Sequence, residues 1–379
     1  MLSTGELWPN PMQSLLLQVI AAPDEAARAA FQAWCAKADF EHDFDPGTRR
    51  LLPLVYDRAQ RLGATSPLMG RLKGTYRRAW YDTNTVLHAT APVVATLVQR
   101  GFDTLMLKGV PLGITYYSKP ALRPMADIDV VVPTAQAHAA IALLRDAGWT
   151  PGPTARDEDV DFRHSMQLVD ADGHEADIHW HCLFEACSAE ADAHFWRTAE
   201  PLTFAGINTR QLDATNTLLH TIIHGLRWNR EPPIRWIPDS LVVLRAAESR
   251  IDWSRLVEFA RSQKLTHRLS LGLDYLARQH AAPVPQAALR ALRTTRVGWT
   301  ERIENSVVLR DSDRMFAHPL TKQWVIFADY LRIARERRPL RFAIGLSHYT
   351  RYRWRLRGRR EILTQVLHGL RRRMFGLPS

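Results

Sequence analysis

Cysteine is scarce in this sequence: Cys35, Cys182 and Cys187 are three among 379 residues, an odd number with no Cys-x-x-Cys pair. A disulfide framework is therefore not expected, and a reducing cytoplasm is the natural compartment. Long apolar runs are missing as well, since none approaches the ~18 residues of a membrane span. Met1 to Pro11 contains Glu6 and two prolines and lacks the basic stretch and cleavage pattern of a signal peptide. The expectation is a soluble cytoplasmic protein, with peripheral contact at the inner face of the membrane left open. No internal repeat is found. With 46% hydrophobic and 23% charged residues, the chain is neither disordered throughout nor collagen-like nor a coiled coil.

Charge is unevenly spread. The formal net charge is +11, yet residues 330–379 hold fourteen Arg and two acids, Glu336 and Glu361, so that segment carries +12 and residues 1–329 carry −1. It includes Arg351-Tyr352-Arg353-Trp354-Arg355-Leu356-Arg357-Gly358-Arg359-Arg360 and Arg371-Arg372-Arg373. Arg interleaved with aromatics suits RNA or single-stranded nucleic acid. It also suits an anionic membrane surface, with Trp354, Leu367 and Met374 at the interface. A solvated basic helix, or an Arg-rich face docked on acids of the same chain, is the structural alternative.

Periodicity divides the chain into four regions: N-terminal helices over 1–84, a mixed core over 85–211, a helical region over 212–329 and the Arg-rich segment 330–379. Leu15, Leu16, Val19 and Ile20 share a helical face, Pro46-Gly47 marks a loop, and Pro92 is expected to kink or break the helix 72–98. Strands are expected at 102–107, 127–132, 162–169 and 175–180, the last two joined by a hairpin through Asp172-Gly173. Thr134 is expected to cap a helix containing Ala137, Ile141 and Leu144. Beyond Leu212, Asp213 and Asp252 (or Ser254) are candidate helix caps and Pro238 a helix start. The order of elements describes a small mixed sheet with helices packed on it, in the α+β class.

Asp127-Ile128-Asp129 places two carboxylates on one face of a strand that Ile128, Val130, Val131 and Val132 bury. Like charges ~5 to 7 Å apart raise each other's pKa unless a cation lies between them. Oxygen ligands of this kind suit Mg²⁺ or Mn²⁺. The plain alternative is that Asp127 caps the strand and Asp129 bonds a loop. On the hairpin strand Glu175, Asp177 and His179 share a face. If that strand pairs with the first, Asp177 joins Asp127 and Asp129 in the arrangement used for two-metal phosphoryl transfer. Lys108-Gly109, where an earlier strand turns into a helix, offers backbone N–H groups for phosphate, and Lys108 or Arg123 can neutralise part of a triphosphate.

Leu107-Lys108-Gly109, Tyr116-Tyr117, Arg123, Asp127-Ile128-Asp129, Asp177-Ile178-His179-Trp180, Arg235-Trp236-Ile237-Pro238-Asp239 and Ile251-Asp252-Trp253 together resemble the uncharacterised nucleotidyltransferase family of the DNA polymerase beta-like superfamily, over about residues 12 to 280. The resemblance implies a minimal nucleotidyltransferase core, metal ligation by Asp127, Asp129 and Asp177, and a phosphate turn at Lys108-Gly109. It implies transfer of an NMP from an NTP to an acceptor hydroxyl with release of pyrophosphate. Two features depart from the superfamily pattern: Lys108-Gly109 stands where Gly-Ser is usual, and the gap to Asp127 is longer. They motivate a second expectation, a nucleotide- or nucleic-acid-binding module without turnover. A third is an accessory protein of cell-envelope polysaccharide assembly held at the membrane by its basic tail.

Other polar groupings carry less. His220 and His224 sit four apart on the helix expected from Asp213 to Trp228, opposite its apolar stripe, facing either the cleft or solvent. No Glu follows His220, so the zinc-protease pattern is absent. His179-Trp180-His181-Cys182 with Cys187 lacks standard zinc spacing and reads as structural. His179 stands apart from that group, because it shares the face of Asp177.

Overall fold

Capping chemistry starts the N-terminal helices. Asn10 accepts from the Gln13 amide at 2.9 Å, and Gln13 returns the bond to the Asn10 amide at 3.1 Å, opening α1 (Pro11–Ala21). Helix α2 (Asp24–Cys35) follows. Asp45 accepts from the Thr48 amide at 2.9 Å and starts α3 (Pro46–Arg61). Pro46-Gly47 is thus the first helical turn and not a loop, because a proline there gives up an N–H that has no intrahelical partner. Helix α4 (Met69–Gln99) runs unbroken through Pro92. Packing of Val93, Val94 and Leu97 against the sheet outweighs the lost hydrogen bond.

In this computed structural model the described residues are 8–42, 44–152, 160, 163–227, 234–298, 301–302, 326–327, 330–331, 338–354, 356, 358, 360–364 and 367. After α4 come β1 (Leu105–Leu107), the short helix α5 (Gly109–Pro111) with a wider π turn over Leu112–Tyr116, and β2 (Asp127–Val131). Then follow α6 (Ala137–Asp146), β3 (Thr150–Pro151), β4 (Ser165–Val169), β5 (Glu175–His179), α7 (Ala189–Arg197), β6 (Glu200–Phe204) and β7 (Ile207–Gln211). Thr134 does not cap α6: its hydroxyl donates to the Trp180 carbonyl at 2.8 Å, tying the end of β2 to the end of β5.

The strands form one seven-stranded mixed sheet in the order β3-β4-β5-β2-β1-β7-β6, an α+β fold. Beside β2 lie β5, parallel, and β1, antiparallel. The β4–β5 hairpin turns at Gly173, whose φ of +87° suits glycine. The β6–β7 hairpin was not expected from the sequence. It turns at Ala205-Gly206, both at positive φ, with mostly polar residues alternating on its outer face.

Among the described residues the helices that follow include α8 (Ala214–Gly225), α9 (Trp236–Ala246), α10 (Trp253–Ser262), α11 (Thr266–His280), α12 (Gln286–Thr294) and α13 (Pro339–Arg353). Asp213 and Asp252 cap α8 and α10 through the amides of Asn216 and Arg255. Strand alternation splits the apolar residues between two cores. Ile128, Val130, Ala176 and Ile178 pack with α4 and α6. Leu105, Leu107 and Val131 face the other way, into a core shared by α1–α3 and α8–α12. The carboxylates of β2 and β5 lie on this second face. Gly225 lets α8 and α9 cross closely, since a Cβ there would sit 2.1 Å from the Trp236 Cβ.

In the basic segment, α13 brings Tyr349 against Phe184, Ile326 and Tyr330, Arg351 is buried, and Arg163 lies over the Tyr352 ring at 4.2 Å. Arg355, Arg357, Arg359 and Arg371–Arg373 fall outside the described residues. Among the described residues no helix is long and apolar enough to cross a membrane.

Candidate active site

Register does the assembling. Asp129 lies directly opposite Asp177, and Asp127 opposite Glu175, because β2 and β5 run parallel with these residues on one face. The three aspartates expected from the sequence therefore share one patch of sheet. His179 Nε2 is 3.0 Å from both Asp129 Oδ1 and Asp177 Oδ2, and Ser165 Oγ donates to Asp177 Oδ2 at 3.2 Å. One ligand atom each from Asp129, Asp177 and His179 lies within 4.8 Å of the others. Two carboxylates and an imidazole form a donor set that fits a divalent cation.

Lys108 directs its side chain into this patch and also lines the adjoining cleft. Its ammonium donates to Asp129 Oδ1. Burial disfavours the charged amine, but Asp129, then Asp177 and Asp127, outweigh it and hold Lys108 above its ordinary pKa. The carboxylates differ among themselves. Burial opposes ionisation of Asp129, yet Lys108 and His179 hold it below the usual carboxylate range, while His179, Lys108 and Ser165 do the same for Asp177. Asp127 differs: burial, with Asp129 beside it, outweighs the opposing pull of Lys108 and Arg235 and raises it to about 6.

Asp127, Asp129 and Glu175, with Lys108, line one wall of a cleft of about 750 Å³, while Asp177 and His179 lie behind Asp129 and are not among its lining residues. Helix α8 supplies the facing wall with His220, Thr221 and His224, so the two histidines face the cleft. Their rings stack at 5.7 Å, and His220 Nε2 bonds the Cys182 carbonyl at 3.1 Å. Burial, with Lys108 nearby, lowers His220 to about 3 and His224 well below its ordinary value. Both are neutral near pH 7.

The rest of the cleft lining is arginine-rich. Arg49 and Arg50 come from α3, Arg78 from α4, Arg123 from the segment before β2, and Arg235 from the start of α9. Arg123 is buried and donates to Asp239 Oδ2 at 3.1 Å, while Tyr117 donates to Asp239 Oδ1 at 2.7 Å. Arg235 donates to the Pro124 carbonyl, and burial with Arg123 and Arg50 beside it lowers its pKa to about 9. Such crowding of guanidinium groups favours an anionic ligand. Gly109 keeps the floor low, because a Cβ there would lie 3.2 Å from Arg123 Nη1 and from Met125 Sδ.

Sequence patterning missed Arg49, Arg50 and Arg78 as cleft residues, and noticed Arg235 only within a resemblance. Their one local signal is the Arg49-Arg50 pair. The His181-Cys182-Cys187 grouping is structural: His181 Nδ1 pairs with Asp192 at 2.7 Å, and the Cys187 thiol donates to the Leu183 and Phe184 carbonyls. A second carboxylate group, Asp170 and Asp172 with His174, belongs to the β4–β5 turn, where Asp170 accepts from the amides of Asp172 and His174.

Comparison with known proteins agrees with the sequence resemblance. No curated protein matches the chain. Among solved structures, an antigenic nucleotidyltransferase-like protein from Paracoccidioides brasiliensis aligns over 55% of this chain and 94% of its own, at 13% identity and a TM-score of 0.35. Residues 48–280 match the family described as uncharacterised nucleotidyltransferase, a span that includes the whole sheet, the carboxylate patch and both ends of the cleft. The chain belongs to the uncharacterised nucleotidyltransferase family.

Proposed function

We propose that this protein transfers an NMP from an NTP to an acceptor hydroxyl and releases pyrophosphate. The observation that carries the proposal is the presence, in one cleft, of Asp127 and Asp129, the latter in register with Asp177 behind it, together with a group of arginines. A triphosphate is the ligand that needs both: guanidinium groups for its terminal phosphates, and a carboxylate-held cation beside the phosphorus that reacts. Asp127, Asp129 and Asp177 would hold Mg²⁺ (or Mn²⁺), which when bound supplies charge neutralisation for the pentavalent phosphorus.

The chain's own groups do the rest. Arg235, Arg123 and Arg50 bind the β- and γ-phosphates and keep the leaving pyrophosphate charge-balanced. Asp177, oriented by Ser165 and His179, takes the proton of the acceptor hydroxyl as its oxygen bonds to the α-phosphorus and the bond to the β-phosphate oxygen breaks. His220 and His224, neutral and stacked, line the wall without adding charge.

A second reading, nucleotide binding without turnover, is favoured by the Lys108 ammonium bonded to Asp129. Incubation with α-³²P-labelled NTPs and Mg²⁺ in cell lysate separates the two. Transfer predicts a labelled acceptor that is lost in Asp127→Asn; labelled NTP retained by the protein with no labelled product supports the binding module.

A further inference from the structure

Lys108 has a backbone that side chains rarely adopt. Its φ of +51° and ψ of −108° lie where glycine is favoured. A lysine held there must be stabilised by its surroundings, and strain of this kind concentrates at functional sites. The compensation is visible, because this turn delivers the ammonium to Asp129, directly opposite Asp177 and two residues from Asp127.

Position then limits what else the patch takes up. The Lys108 ammonium donates to Asp129 Oδ1, and His179 Nε2 lies 3.0 Å from the same oxygen, so a cationic group already occupies a carboxylate oxygen that a pair of ions would share.

We infer that the Lys108 ammonium takes the place of one of the two divalent ions that a three-carboxylate phosphoryl-transfer site accommodates, so that this protein loads a single Mg²⁺ or Mn²⁺ with its nucleotide. This rests on the transferase reading above. It gives the Lys-Gly turn a role as a built-in cation: Lys108 organises Asp129 and Asp177 and acts through them, as a positioning residue, and the Gly109 after it keeps the cleft floor open.

The test counts Mn²⁺ bound per chain in the full-length protein with inorganic tripolyphosphate, which avoids the choice of base. Electron paramagnetic resonance reads whether the bound ions are isolated or coupled, as ions ~4 Å apart are. Wild type is expected to hold one isolated ion. Lys108→Gly, which removes the ammonium and relieves the backbone, is expected to hold two coupled ions, and Lys108→Arg to return to one. Two coupled ions in wild type overturn the inference whether or not either variant folds, and so does a single ion in folded Lys108→Gly. No bound Mn²⁺ in any of the three overturns the metal-dependent transferase reading itself, an outcome distinct from a wrong count.

Discussion

At one end of the cleft, Asp129 and Asp177 are answered within the chain by Lys108, His179 and Ser165; at the other, Arg50, Arg123 and Arg235 crowd together beside Asp239. The first end has balanced much of its charge before any ligand arrives. At the second, burial, with Arg123 and Arg50 beside it, pushes Arg235 down to about 9. The carboxylate end is therefore organised around fixed geometry, and the arginine end is organised for uptake of an anion.

Substitutions at the two ends should fail in different ways. The largest effect is expected from Asp127→Asn, which should lower label transfer at least ~10³-fold, as loss of several kcal/mol of transition-state stabilisation implies. Its melting temperature should hold, because burial already disfavours the charge on Asp127. Equal transfer by wild type and variant would remove the carboxylate end from the chemistry.

Asp129→Asn should cost about 3 kcal/mol in denaturant unfolding, because it strips Lys108 of its hydrogen-bonded partner inside the fold. The contrast comes from Arg235→Met. Relief of guanidinium crowding should leave stability unchanged or raised, while NTP affinity falls by about tenfold or more with loss of one charge-assisted contact. An arginine variant that unfolds easily yet binds NTP normally would erase the distinction between the ends.

A milder effect, seen only on acidification, is a pH dependence from the α8 wall of the cleft. His220 has its pKa lowered to about 3, so its contribution is complete above the unfolded value of about 6.5 and is lost as pH falls toward 3. At pH 5 this costs on the order of 2 kcal/mol relative to pH 7. His220→Asn should flatten the stability profile between pH 7 and 5, measured by urea unfolding at each pH. An unchanged slope would mean that His220 is solvated.

The carboxylate end was legible because its information is local. Asp127 and Asp129 alternate on a strand whose other face is aliphatic, and Asp177 and His179 do so on a hairpin announced by Asp172-Gly173. The arginine end was not legible, because α3, the segment before β2 and the start of α9 supply it from distant parts of the chain with no shared period. Helix α8 left the choice between cleft and solvent open for a related reason. Its Leu and Ile residues form a stripe, but eleven of its twelve residues are buried, so the polar side opposite that stripe lines a cleft and not solvent. The β6–β7 hairpin escaped notice because Ala205-Gly206 is a weak turn signal and its strands alternate mostly polar residues outward. The basic tail taught the least: Tyr349 and Arg351 are buried, while Arg371–Arg373 lie beyond the described residues.

The most direct measurement is a crystal structure with Mn²⁺ and the α,β-methylene analogues of the four common NTPs, using the manganese anomalous signal. The predicted result is manganese against Asp129 and Asp177 with the terminal phosphate against Arg235. Manganese absent from those carboxylates, or a triphosphate bound away from the arginine end, would contradict a nucleotidyltransferase that works by joining the two ends of this cleft.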